Sequence, residues 1–165
     1  MISSETLISN LFKIAQSVNV PSTPIRLTSR RWRMFDKVAP EQLPALFQFQ
    51  SPTRKTTGGV RPLLKFEIRV LWMMYLPLSP DFNTVVSPAL NNYCDTLINA
   101  LLTTRVVQVG SNPNITPNGM LAGTIQDLGF PGKVNCYVDG DVLTDEGLLS
   151  TYSLLVIPIT ILTGI

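Results

Sequence analysis

The sequence predicts an α+β fold: a mostly antiparallel β-sheet packed against two α-helices, with a long β-hairpin arm. Residues 4 to 18, and a second stretch opening at Ser87-Pro88, repeat apolar residues at the 3.6-residue period of a helix buried on one side. Runs such as Leu64 to Trp72 and Leu154 to Leu162 are short and rich in β-branched or aromatic residues, and the first alternates with the period of two of a half-buried strand. A length of 165 residues without internal repeat suits one domain over residues 1–165, large enough to bury a core without disulfide or metal staples.

In the first helix Leu7, Leu11, Ile14, Ala15 and Val18 share a face, Ile8 and Phe12 lie beside them, and Ser3 or Ser4 can cap the start. Asn19, Pro21, Ser22 and Pro24 break the helix, and Pro40 and Pro44 favour extended backbone after a basic segment, Arg26 to Lys37. Ala45 to Gln50 alternates apolar and polar residues near its end, the period of a strand with one wet face. In the next strand Leu64, Phe66, Ile68, Val70 and Trp72 face one way, and Lys65, Glu67 and Arg69 the other. The connection Ser51 to Pro62 carries a Gly58-Gly59 turn signal among Arg54, Lys55 and Arg61, so the pair reads as a hairpin with a flexible, basic tip.

Pro77 and Pro80 end that strand. The second helix then turns Leu90, Leu97, Leu101 and Leu102 inward, with Tyr93, Cys94 and Ile98 alongside. From Val106 to Gly129 the chain is dominated by Gly, Asn, Pro and Thr, which predicts a strand and then a long loop around Asn112-Pro113-Asn114. Lys133 to Val138 reads as a strand followed by the turn dipeptide Asp139-Gly140, with a second acidic turn at Asp145-Glu146-Gly147 before the final strand. Two helices on one antiparallel sheet is the simplest packing of these elements, because each then buries its apolar face once.

Hydrophobic residues make up 45% of the chain and charged residues 15%, a composition that folds and leaves apolar surface for partners. The first eighteen residues lack the basic start and unbroken apolar run of a signal peptide, so export by that route is not expected, and Cys94 and Cys136 are read as reduced thiols. Leu148 to Ile165 carries no charge and is about as long as a short membrane span. Its serines, threonines, Pro158 and β-branched residues favour a buried strand instead.

The sequence contains no histidine, which removes the commonest general base and transition-metal ligand. The acids around Asp139-Gly140-Asp141 lack the twelve-residue ligand spacing of a calcium loop, and the glycines fit neither phosphate-binding spacing. Ser29, Ser153 and the two cysteines have no histidine-type base. No catalytic residue, cofactor or metal site is therefore assigned.

Charge placement is more informative. Residues 26 to 69 hold ten basic and three acidic side chains, a balance of +7, whereas residues 127 to 165 hold one basic and five acidic, a balance of −4. The candidate interface residues are Arg30, Arg31, Arg33, Arg54, Lys55 and Arg61 on the basic side, and Asp139, Asp141, Asp145 and Glu146 on the acidic side. A head-to-tail ring that brings the basic region of one copy to the acidic region of the next uses both. Arginines interleaved with Trp32 and Phe35 also suit nucleic acid, although the overall charge is only +2.

Landmarks run through most of the chain: a helix beginning near Ser4-Glu5-Thr6; Ser29-Arg30-Arg31-Trp32 followed by Val38-Ala39-Pro40-Glu41-Gln42-Leu43-Pro44-Ala45-Leu46-Phe47; and Cys136-Tyr137-Val138-Asp139-Gly140 with Val156-Ile157-Pro158-Ile159 near the end. In this order they resemble the tail terminator and tail completion proteins of tailed bacteriophages, without a catalytic motif; the long loop Gly110 to Gly132 departs from the pattern. The resemblance implies a structural virion protein of the tail or neck, assembled in the bacterial cytoplasm. It would form a homo-oligomer, a hexameric ring at the head-proximal end of the tail tube, with the tube protein and a head completion or neck protein as partners. Arg54, Lys55 and Arg61 would reach a neighbouring subunit or line the DNA channel. Another neck or tail ring protein, such as a head-side adaptor or a tube-like protein, is the nearest alternative, and a nucleic-acid-binding module the more distant one.

Overall fold

The computed structural model of the chain describes residues 3–18, 20, 23–57, 65–77, 87–103, 124–125, 134–145 and 152–164. Two α-helices, α1 (Ser4–Ser17) and α2 (Ser87–Thr103), accompany seven strands: β1 (Leu27–Ser29), β2 (Ala45–Thr57), β3 (Lys65–Pro77), β4 (Thr124–Ile125), β5 (Val134–Val138), β6 (Leu143–Asp145) and β7 (Tyr152–Gly164). They form one sheet in the order β1-β2-β3-β7-β5-β4, with β6 also paired to β7. This is an α+β fold with a mixed sheet, since β1 lies parallel to β2 and every other pair is antiparallel.

Ser3 caps α1, its hydroxyl accepting the Thr6 N–H at 3.1 Å. Leu7, Ile8, Leu11, Ile14 and Ala15 are buried, as their spacing requires. Pro88 stands in the first turn of α2, where its missing N–H removes no helical bond, and Leu90, Tyr93, Leu97 and Leu101 turn inward. Both helices cover the same face of the sheet. They close over Leu46, Ile68, Val70, Trp72, Met74, Leu155, Ile157, Ile159 and Ile161, each side chain adding about 1.5–3 kcal/mol by leaving water. The Tyr93 hydroxyl donates to the Thr23 carbonyl and ties α2 to the segment after α1.

One polar side chain belongs to this core, and the alternation in β2 hides it. Gln48 is 2% exposed on the helix-covered face, in register with Trp72. Its Nε2 donates to the Ile8 carbonyl at 2.9 Å, and its Oε1 accepts Trp72 Nε1–H at 3.0 Å. The glutamine thus links α1 to the sheet at its centre instead of marking a wet face. Burial is tolerated because both ends of the amide are bonded.

Two irregularities correct the sequence reading. The hairpin tip is expected to begin at Ser51, but β2 stays paired with β3 as far as Thr57↔Lys65, and β3 stays paired with β7 as far as Lys65↔Gly164. The first half of the expected flexible arm is therefore sheet. Between Gln50↔Val70 and Arg54↔Ile68 the register shifts, so Ser51, Pro52 and Thr53 oppose Arg69 in a bulge, a position where proline disturbs no ladder bond.

The second correction concerns Asp139-Gly140, which does not reverse the chain. β5 and β6 both run antiparallel to β7, so 139–142 is a bulge in one interrupted strand, opposite Ile157 and Pro158. Asp139 N–H donates to the Pro158 carbonyl at 3.0 Å. The proline nitrogen points to the same side, where the ladder is already open, which is how β7 carries a proline beside its neighbours on both edges. Gly140 supplies the required φ of +115°.

Candidate assembly surface

Among the described residues, the other face of the sheet is covered at one end only. After β1 the chain crosses this outer face as a strap, residues 30 to 44, with short 3₁₀ turns at Phe35–Lys37 and Pro40–Gln42. Beneath it Val38, Leu43, Ala45, Phe47 and Tyr75 form a second, smaller core. Phe35 stacks on Tyr152 with centroids 4.1 Å apart, and Tyr75 meets Phe35 and Tyr152 edge-on at 5.7 and 5.4 Å.

The strap is held at three points. Arg30 forms a two-pronged ion pair with Glu5 on α1, its Nη2 donating to Oε2 at 3.0 Å, and Ser9 Oγ joins from the next helical turn. Trp32 Nε1–H donates to the Tyr75 hydroxyl at 3.0 Å, and that hydroxyl donates to the Arg33 carbonyl at 3.1 Å. Hydrogen bonding from Arg30 and then Ser9 holds the Glu5 carboxyl at about 2, well below 4.5. The Tyr75 phenol is raised by burial, partly offset by its bond from Trp32.

Beyond the strap the outer face is uncovered among the described residues. Phe49, Leu71 and Pro158 are register partners across β2, β3 and β7; Met73, Val156 and Leu143 are partners across β3, β7 and β6. The two rows make a continuous apolar strip, half-buried at Leu71, Met73, Val156 and Pro158 and open at Phe49 (38%) and Leu143 (50%). The only other large hydrophobic residues exposed among the described ones, Trp32 (39%) and Met34 (59%), lie in the strap.

At the far end of the strip the surface becomes polar. Arg69 Nε donates to Glu67 Oε1 at 2.8 Å, and Thr160 Oγ1 donates to Asp139 Oδ2 at 3.1 Å. The Arg69 guanidinium is raised by Glu67 first and by Asp139 more weakly, while burial and then Asp139 raise the Tyr137 phenol. Cys94 and Cys136 are not joined in a disulfide, and burial pushes the Cys136 thiol to about 12, far from a nucleophile's range. Among the described residues no cluster of His, Cys, Asp and Glu could hold a metal ion. No described helix is long and apolar enough to cross a membrane.

The predicted interface residues have unequal places in this surface. Arg30 is engaged within its own chain by Glu5, so it anchors the strap, whereas Arg31 and Arg33 are exposed and make no ion pair among the described residues. Asp139 is tied into the bulge; Asp141 is exposed beside it, and Asp145 lies on β6 opposite Leu154. Arg54 and Lys55 are placed by backbone alone, opposite Ile68 and Glu67. Arg61 and Glu146 lie outside the described residues, as does the predicted loop 110–132 apart from β4. Met34, Phe49 and Leu143 were missed; the available signal was a large apolar residue flanked by charge or polarity where the segment has no amphipathic partner to cover it. No protein-family model matches the chain, and no curated protein matches it significantly.

Proposed function

We propose that the chain is a ring-forming structural subunit of a bacteriophage tail, which stops growth of the tail tube at its head-proximal end and joins it to a head completion or neck protein. The observation that carries this reading is the outer face of the sheet, left open beyond the strap among the described residues: an apolar strip opening at Phe49 and Leu143, beside a strap that exposes Trp32 and Met34. Such a surface suits protein partners. The order of landmarks from Ser29 to Phe47 and from Cys136 to Ile159, similar to tail terminator proteins, supplies the family side of the argument.

The mechanism needs no covalent step. One rim of the ring docks on the last ring of the tube, and the opposite rim does not match another tube subunit, so polymerisation halts by complementarity on one side and its absence on the other. Electron microscopy of the purified protein tests this. Closed six-fold rings that stay finite are expected, and their addition to polymerising tube subunits should fix tube length. A purified chain that extends into filaments, or that leaves tube growth unchanged, contradicts the reading.

A further inference from the structure

We infer that consecutive copies of the chain join head to tail, the Arg31–Met34 stretch of one copy seating on the Asp139–Asp145 stretch of the next. The inference rests on the ring reading and deepens it by naming the two surfaces that meet.

The two stretches are separate patches of the surface. The strap leaves from β1 at one end of the strand order and lies on the outer face, with Trp32 and Arg33 bonded to Tyr75 of β3. The acidic stretch runs through the 139–142 bulge and β6, which pairs with β7 and with no further strand among the described residues. A contact between two different patches repeats from copy to copy and closes into a ring when the rotation per copy allows it.

Their chemistry is matched in pattern and opposed in sign. The strap presents Trp32 and Met34 among Arg31 and Arg33; the edge presents Leu143 among Asp139, Asp141 and Asp145. Three of the four large hydrophobic residues exposed among the described ones therefore fall in these two short stretches, with Trp32 between two arginines and Leu143 between two aspartates. Apolar contact supplies affinity, and the opposed charges fix orientation and exclude strap-on-strap or edge-on-edge pairing.

Both surfaces are also formed before they meet. Arg30 on Glu5 and the Trp32–Tyr75–Arg33 bonds fix the strap. Thr160 and the Pro158 carbonyl fix Asp139, and Gly140 sets the path of the bulge. Little ordering entropy is left to oppose docking.

Two charge-reversed proteins test the pairing: Arg31→Glu/Arg33→Glu and Asp141→Lys/Asp145→Lys. In sedimentation velocity, at a concentration where the unaltered chain is assembled, each is expected to run alone as a monomer. An equimolar mixture should recover the assembled species, because every strap then meets an edge of opposite sign. Circular dichroism establishes that each is folded. Leu143→Ser, a milder change of the same edge, is expected to raise the concentration needed for assembly about tenfold.

Assembly of either reversed protein alone, or a folded mixture that stays monomeric, overturns the pairing and leaves the ring reading standing. An unaltered chain that is itself monomeric removes both. If Arg31→Glu/Arg33→Glu assembles normally but no longer retains a fluorescent DNA duplex, the strap belongs to nucleic acid and the pairing is wrong.

Discussion

The helix side of the sheet and its outer side are drawn from the same long strands, β2, β3 and β7, but among the described residues only the helix side is fully covered. There Ile68, Val70, Trp72, Leu155, Ile157 and Ile161 vanish beneath α1 and α2, and even the polar Gln48 is bonded at both ends. On the outer side the strap covers Phe47 and Tyr75, then stops, leaving Phe49 and Leu143 partly in water. Stability is therefore concentrated on one face, and surface able to receive partners on the other.

The largest contrast is between two leucines. Leu97→Ala, in the interface of α2 with the sheet, should destabilise the monomeric fold by about 2–5 kcal/mol, because it leaves a cavity in close-packed surroundings. Leu143→Ala on the outer face should change monomer stability by no more than about 0.5 kcal/mol. Chemical denaturation of the dilute proteins measures both, and equal effects would erase the distinction between the faces.

A smaller effect is expected at Gln48. Gln48→Ala removes the acceptor of Trp72 Nε1–H inside the core and should cost about 1–3 kcal/mol, with a shift in tryptophan fluorescence as the indole loses its partner. A neutral substitution would mean that the amide does not link α1 to the sheet.

The smallest effect belongs to the strap's anchor. Glu5 should titrate near 2 by NMR, and Arg30→Ala should return it towards 4.5. Its folded-state value is depressed, so the pair's stabilisation is present above 4.5 and fades as pH falls towards 2. Because Glu5 is exposed, the change in overall stability should be slight. The local loosening should appear instead at Trp32, downstream of the anchor.

What the sequence made legible follows the same division. Both helices, the alternation of Ile68, Val70 and Trp72, and the apolar run of β7 are periodic, and period reports burial against a neighbour within the chain. Gln48 was misread because alternation shows that a strand has two faces without showing which face the helices will take. Asp139-Gly140 was misread because a tight turn and a bulge both favour a glycine with positive φ, and the deciding residue, Pro158, is on another strand. The charge asymmetry was visible, but its partial neutralisation was not: Arg30 finds Glu5 twenty-five residues earlier, a pairing no local pattern records. Short β1 and β6 carry too few residues for any period to declare them.

Hydrogen exchange, compared between the assembled protein and the same protein diluted to monomer, tests most directly whether the outer face and its two flanks are the assembling surface. The account predicts new protection at residues 30–34 and 139–145, with α1 and α2 protected alike in both states. New protection concentrated on the exposed sides of α1 and α2, with the strap and β6 unchanged, would contradict it.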